Sequence, residues 1–390
     1  MDLPSPVRAS RRSNVDPFRA MDVMAEANRM KAAGLPVISL AVGQPSASVP
    51  AQALDAARRF MEAGRIGYTD ALGRASLRER IARQAVAAYG VALSPERVMV
   101  TTGSSAGFNL AFLAAFDEGD RVAIATPGYP AYRNILRALG LVPVDICVDA
   151  TEGYLLTADR LLAEHRLEPL QGVLIASPAN PTGTVTPRAE FERLIRVAEG
   201  EGITFISDEI YHGLVFGEPA ASALEFTDRA ILVNSFSKYY CMTGWRVGWL
   251  VLPPELVRVA ERLAQSLYIS PPELSQVAAE AVMDATAELD AIRDTYDANR
   301  RLLEVALPEI GFRDIAPVDG AFYAYAGVPE GKGQATAFAR RVLAETHVAI
   351  TPGTDFDPAR GEDFVRLSYA GHPTEIATAV ERLRRFLAKP

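Results

Sequence analysis

Between residues 98 and 252 one pattern repeats: a short apolar run, then a longer stretch that in most cases has helical spacing. The runs fall at 98–102, 121–125, 141–145, 172–177, 203–207, 231–234 and 247–252. Continuous apolar runs of this length fit strands buried on both faces. Helical connections between such strands return each one to a parallel neighbour. The expected fold class is therefore α/β, a mainly parallel central sheet with helices on both faces. In such sheets functional groups gather at the carboxyl ends of the strands.

The flanks read differently. Residues 18–33 carry Phe18, Met21, Met24 and Ala25 at helical spacing, with Pro17 in the first turn. A short strand from residue 37 ends at Gly43. Helices are expected at 50–64 and 75–88, with a loop between them at 67–73. Beyond the sheet region, 253–267 reads as a helix, 268–272 as a loop and 273–307 as one long helical region. A second, smaller α+β unit follows: 316–326, a helix at 335–345, strand-like pieces at 348–351 and 364–369, and a closing helix to 386. The expected boundaries are 46–285 for the large domain, and 14–45 with 286–390 for the small one.

Composition excludes several function classes. A net charge of -8 argues against a nucleic-acid partner. The one basic cluster, Arg8, Arg11 and Arg12, is expected to be a solvated end. No apolar run reaches membrane-spanning length. Cys147 and Cys241 lie in apolar sequence and read as reduced core thiols of a cytoplasmic protein. His165, His212, His347 and His372 lack metal-ligand spacing, so no metal is expected.

Chemistry-bearing residues sit where the strands end. Lys238 follows the run at 231–234, inside Ser235-Phe236-Ser237-Lys238 and ahead of Gly244-Trp245-Arg246-Val247-Gly248. Burial there lowers the lysine pKa, which suits an amine that forms a Schiff base. Ser235, Ser237 and Arg246 look like a phosphate clamp, and an aldehyde carrying a phosphate suggests pyridoxal phosphate. Gly103, Ser104 and Ser105 follow the first strand and open a helix, a place for an anion or merely a helix cap. Tyr129 reads as a core aromatic or a stacking surface. Asn180 lies in an Asn-Pro-Thr-Gly turn. Asp208, an acid at a buried strand end, is costly unless paired, and a protonated pyridine nitrogen is one such partner. Glu209 points to the opposite face and reads, like His212, as structural. Arg366 sits in an apolar run, paired with an acid of the chain or free to grip a carboxylate. Gly353 reads as a turn glycine.

In this order the motifs resemble those of the class I/II aminotransferases, the aspartate-aminotransferase-like, fold-type I enzymes of pyridoxal phosphate. The resemblance runs from about residue 17 to the end. It implies that Lys238 holds the cofactor as an aldimine, with Gly103, Ser104, Ser105, Ser235, Ser237 and Arg246 around its phosphate. It places Tyr129 on the ring, Asn180 and Tyr211 on the ring 3-oxygen, and Asp208 on the ring nitrogen. Arg366, with Gly43 and Asn180, would receive the substrate. Tyr68 would reach the phosphate of a neighbouring subunit, which implies a homodimer with shared sites. Gln44 and Ser46 depart from the family's usual glutamate and aspartate at the substrate entrance.

The implied reaction moves the amino group of an L-amino acid to a 2-oxo acid by a ping-pong route. A C–S lyase of the same fold is the alternative enzyme, and a non-catalytic sensor that binds the cofactor is a third reading. A nicotinamide dehydrogenase is disfavoured, because the chain does not open on a strand followed by Gly-x-Gly-x-x-Gly. Residues 103–106 and 268–272 hold no lysine or arginine, which favours a neutral or broad donor. Arg11, Arg12 and Arg19 leave aspartate open.

Overall fold

The structure is a computed structural model that describes residues 8–388. In chain order, α1 (Arg19–Ala32) and β1 (Ile38–Ser39) precede α2 (Ala51–Glu62) and α3 (Ala75–Tyr89). Then come β2 (Val98–Thr101), α4 (Ser104–Ala115), β3 (Arg121–Thr126), α5 (Pro130–Leu139) and β4 (Val142–Cys147). These lead to α6 (Ala158–Leu167), β5 (Gly172–Ala176), α7 (Arg188–Gly200), β6 (Thr204–Asp208), β7 (Ile231–Ser235) and β8 (Gly248–Val251). Three helices follow, α8 (Pro254–Leu267), α9 (Glu273–Val282) and α10 (Thr286–Glu309). The chain closes with β9 (Tyr323–Gly327), α11 (Ala335–Thr346), β10 (Val348–Ala349), β11 (Thr351–Pro352), β12 (Phe364–Ser368) and α12 (Pro373–Leu387).

Strands β2 to β8 form one sheet in the order β2-β8-β7-β6-β5-β3-β4. The strands from β7 to β4 in that order run parallel, while β8 is antiparallel to both its neighbours. Alternation sends neighbouring side chains to opposite faces. Ile206 and Val233 meet Phe108 of α4 and Ala260 of α8 on one face. Phe205 and Val173 meet Phe191 and Leu194 of α7 on the other, and Leu232 meets Leu77 and Ile81 of α3 there. The register sets Ala176 beside Asp208 and Asp208 beside Val233, so the ends of β5 and β6 lie level and β7 runs two residues further.

The second layer is built on the antiparallel sheet β11-β12-β9. Leu303 of α10, Phe338 of α11 and Leu383 of α12 close its core with Leu367 and Tyr323. An early and a late segment of the chain meet here, because β1 pairs in parallel with β10. Asn299 of α10 donates both amide hydrogens, to Tyr369 O and Gly371 O at 2.9 Å, and fixes the exit of β12.

Four local expectations change. Cys147 is exposed, because β4 is the edge of its sheet and most of its residues are not buried. The region 273–307 is two helices broken at 283–285, α9 and α10. Within 316–326 only 323–326 is strand, the first part of β9. The residues before it pack their backbone against neighbours, with Gly320 against Pro178 leaving no room for a Cβ. Pro17 lies outside α1, whose N-cap is Phe18. Arg12 of the basic cluster pairs with Glu118 at 3.1 Å on the surface. No helix among the described residues is long and apolar enough to cross a membrane.

Replacing Asn299 by Ala leaves two carbonyls of the β12 exit without their donor. The expected loss is about 1–3 kcal/mol, the usual cost of stranding buried polar groups. A urea unfolding curve checks it, and an unchanged midpoint contradicts the assignment.

Candidate active site

A cavity of about 460 Å³ opens between the layers at the level strand ends. Ser104, Tyr129, Asn180 and Lys238 line it from the first layer, and Tyr323 and Arg366 from the second.

Lys238 lies three residues past β7 and donates from Nζ to Gly43 O at 2.6 Å. The rings of Tyr211 and Phe322 lie 5.7 and 5.8 Å from its Nζ. Its side chain keeps some surface open to the cavity, yet dense protein surrounds its ammonium. Burial lowers it to about 8, with the Arg366 charge adding to the effect and Asp208 opposing it. No ion pair among the described residues involves Lys238, Asp208 or Arg366.

Asp208 ends β6 and is 2% exposed. Its Oδ2 accepts from the Tyr132 hydroxyl, and its Oδ1 from Ile210 N at 3.1 Å. Burial raises it to about 6, while those two hydrogen bonds pull the other way. Glu209 turns to the opposite face, as alternation requires. It accepts from Ser207 Oγ and Ser222 Oγ at 2.9 Å and from Ala223 N at 2.8 Å. Burial raises it to about 7. His212 is held neutral by burial, at about 4. Its Nε2 donates to Ser177 O at 3.0 Å and its Nδ1 accepts from the Tyr89 hydroxyl at 2.6 Å, since a carbonyl only accepts. These two residues tie the ends of β5 and β6 to the surrounding loops.

Arg366 is 5% exposed and faces the cavity from β12. Nη1 donates to Asn180 Oδ1 at 2.9 Å and Nη2 to Ala41 O at 2.7 Å, so both partners are neutral. Its guanidinium lies between the rings of Tyr323 and Phe356, 4.3 and 4.6 Å away. Its Nε is buried without a partner. Because Asn180 accepts with Oδ1, its NH₂ is left for another acceptor.

Opposite this pair lies a cup suited to an anion. Ser104 begins α4, where N–H groups are unsatisfied by the helix itself. Gly103 has φ +78°, and a Cβ there would sit 2.6 Å from Arg246 Nη2. Arg246 itself holds a left-handed backbone, φ +53°, an uncommon choice for a side-chain-bearing residue. Ser105 and Ser237 complete the lining. Ser235 does not line it. Its Oγ lies 2.9 Å from Ser237 Oγ and accepts from Ser237 N, so it supports the neighbouring hydroxyl from behind.

The other expected residues divide. Tyr129 lines the cavity, edge-on to Tyr132. The Tyr211 hydroxyl meets that of Tyr323 at 2.8 Å. Gly43 is required sterically, since a Cβ there would lie 2.0 Å from Tyr323 Oη. Tyr68 is 82% exposed on a loop outside the cavity. Gly353 starts a 3-10 turn pressed against Gly361. No metal-holding cluster occurs among the described residues.

Sequence reading missed Tyr132, Tyr323 and the cover of the cavity. Tyr132 stands three residues after Tyr129, a spacing that signals a shared face. Tyr323 pairs with Ser368, two residues along from Arg366 on the same face of the sheet. Phe18 and Met21 line the outer wall. They are placed there because the Asp355 carboxylate accepts from Arg19 N at 2.9 Å and Ala20 N at 2.8 Å, a cap for α1 supplied from a distant loop.

The cavity therefore offers an amine of lowered pKa, an anion cup and a buried guanidinium, with the Asp208 carboxylate buried beside it and hydrogen-bonded to the lining residue Tyr132. Comparison with known proteins agrees. Residues 36–383 match the family described as aminotransferase class I and II. The chain is 47% identical over 385 residues to the valine–pyruvate aminotransferase of Mycobacterium tuberculosis, covering 97% of this chain and 98% of that one. The crystal structure of an aminotransferase from Mycobacterium tuberculosis has a TM-score of 0.95 at 45% identity, covering 98% and 100% of the two chains. Aspartate aminotransferase from Thermus thermophilus with maleate gives 0.90 at 31% identity, covering 97% and 99%. Sequence, fold and site converge, and the chain is an enzyme belonging to the class I and II aminotransferase family.

Proposed function

We propose that this enzyme uses pyridoxal phosphate held on Lys238 to move the amino group of a neutral L-amino acid to a 2-oxo acid. One observation carries the reading: two cations, Lys238 and Arg366, share a cavity and touch only neutral oxygens. The cavity is thus prepared for a ligand that brings its own charge. The residues fit the cofactor. The Gly103–Arg246 contact, the start of α4 and Ser237 suit its phosphate. Asp208 suits a ring nitrogen that carries a proton, and the Asn180 NH₂ suits the ring oxygen. When bound, the cofactor supplies an electron-withdrawing ring that stabilises negative charge developing at the substrate Cα.

The chain's own groups do the rest. Arg366 binds the substrate carboxylate with its buried Nε and the fork beside it. Lys238, as a free amine, would take the proton from the substrate Cα and pass it to the cofactor carbon bonded to the amino nitrogen, and the second oxo acid would reverse that transfer. A pKa near 8 suits both directions at neutral pH. The part spanning 14–45 and 286–390 closes over the cavity and excludes water. Tyr68 serves the site of a second copy in a homodimer. In support, the apolar residues Ile66, Leu267 and Ile269 are exposed around the loops that carry it.

The donor class follows from the wall. Phe18, Met21, Val42, Tyr129, Ile210 and Phe356 face the cavity. Its cations, Lys238, Arg246 and Arg366, already have tasks, which leaves none for a second carboxylate. The Mycobacterium tuberculosis relative named for valine and pyruvate fits a donor of this kind.

Single amino acids mixed one by one with the loaded enzyme test the reading, with oxo acid and ammonia assayed. Valine-like donors are expected to give stoichiometric oxo acid without ammonia. Preference for aspartate contradicts the donor class, and pyruvate with ammonia from cysteine would make the enzyme a lyase. Arg366→Ala is expected to raise the apparent KM for every donor by roughly 10- to 100-fold, as loss of charge-assisted hydrogen bonds implies. An effect on one donor alone contradicts that role. The neutral amine is the nucleophile, so capture of pyridoxal phosphate by the stripped protein speeds up as pH rises through about 8. A midpoint at the ordinary lysine value of 10.5 contradicts the lowered pKa.

A further inference from the structure

Asp208 keeps its place with two donors, and only one is a side chain. Tyr132 is buried in α5, its ring fixed edge-on by Phe108 at 5.1 Å and Tyr129 at 5.3 Å. Its hydroxyl donates to Asp208 Oδ2, and the Ile210 N–H donates to Oδ1. The ionisable groups whose charges reach the carboxylate are Glu209, next in sequence but on the opposite face, Lys238 beyond β7, Tyr129 and Tyr132 at the start of α5, and Tyr211. Glu209 opposes its ionisation and Lys238 favours it. Apolar side chains, Phe108 and Ile206 among them, make up the packing around Tyr132. A buried carboxylate with too few donors takes up a proton rather than stay charged. Once protonated it no longer attracts a proton on a neighbouring ring nitrogen.

We propose that Tyr132 is a positioning residue: its hydroxyl keeps the Asp208 carboxylate ionised and fixed, and through Asp208 holds the proton on the ring nitrogen of the cofactor. This rests on the cofactor reading above. Tyr132 lies on the cavity wall, and in this proposal its hydroxyl acts through Asp208.

Tyr132→Phe keeps the ring and removes only the hydroxyl. Two probes separate its role from packing: pyridoxal phosphate, and the 1-deaza analogue with carbon in place of the ring nitrogen. Their affinities for the stripped enzyme and the variant are measured by titration. The variant is expected to lose roughly tenfold or more in affinity for pyridoxal phosphate and nothing for the deaza analogue, whose undiminished binding also shows that it is folded. Equal loss for both probes means a packing role and overturns the proposal, as does no loss for either. In an Asp208→Asn background the same change is expected to have no further effect, and a full additional loss overturns the route through Asp208. If the unaltered protein binds neither probe, the cofactor reading itself falls. If it binds pyridoxal phosphate and the variant binds it equally well, only the role of Tyr132 falls.

Discussion

Two charged groups, Lys238 and Arg366, line one cavity, a third, Asp208, is buried beside it, and none of them touches an opposite charge. Asp208 rests on a phenol and a backbone N–H, Arg366 on an amide and a carbonyl, and Lys238 on a carbonyl. Charges placed in protein interior cost several kcal/mol each when incompletely compensated. Local hydrogen bonds, the rings around Arg366 and the attraction between Asp208 and Lys238 offset only part of that cost. The rest is offset by the cores on either side, where the helices of both faces close over the seven-stranded sheet. The arrangement makes sense as preorganisation: the donors and acceptors are already fixed, and an incoming ligand supplies the missing charges.

The topology makes this possible. Parallel strands present their ends on one side, so residues far apart in sequence reach the cavity without long excursions. Asn180, Asp208 and Lys238 each follow a strand end by a few residues or none. The second layer adds Arg366 from a strand paired with the one that holds Tyr323. Gly43 closes the circuit. It lies four residues past β1, its carbonyl accepts a hydrogen bond from Lys238 Nζ, and its lack of a side chain lets Tyr323 in.

Much of the site was legible because its chemistry is local. Asp208, Asn180 and Lys238 stand at or just past strand ends, where a strand-then-turn pattern places them, and Arg366 stands inside an apolar run that reads as a strand. What was not legible depends on packing between distant segments. Tyr132 carries no reading of its own in the sequence, and only the fold brings its hydroxyl to Asp208. Tyr323 gains its role from Arg366 above it and Gly43 beside it. Ser235 and Ser237 were indistinguishable in sequence, yet only one faces the cavity because the chain turns between them. Cys147 was misread since whether a strand is central or at an edge is a property of the whole sheet. The capping of α1 by Asp355 spans more than 300 residues and leaves no sequence signal.

The central claim is that Lys238 is the amine that carries the cofactor. The sequence makes a direct measurement simple, since it has four lysines: Lys31, Lys238, Lys332 and Lys389. Of the described ones, Lys31 and Lys332 are exposed at the surface. The protein is incubated with pyridoxal phosphate, reduced with borohydride, digested and mapped by mass spectrometry. Modification in near one-to-one amount on the Lys238 peptide, and only traces elsewhere, is the predicted result. Modification spread over Lys31, Lys332 and Lys389, with Lys238 untouched, would contradict the account.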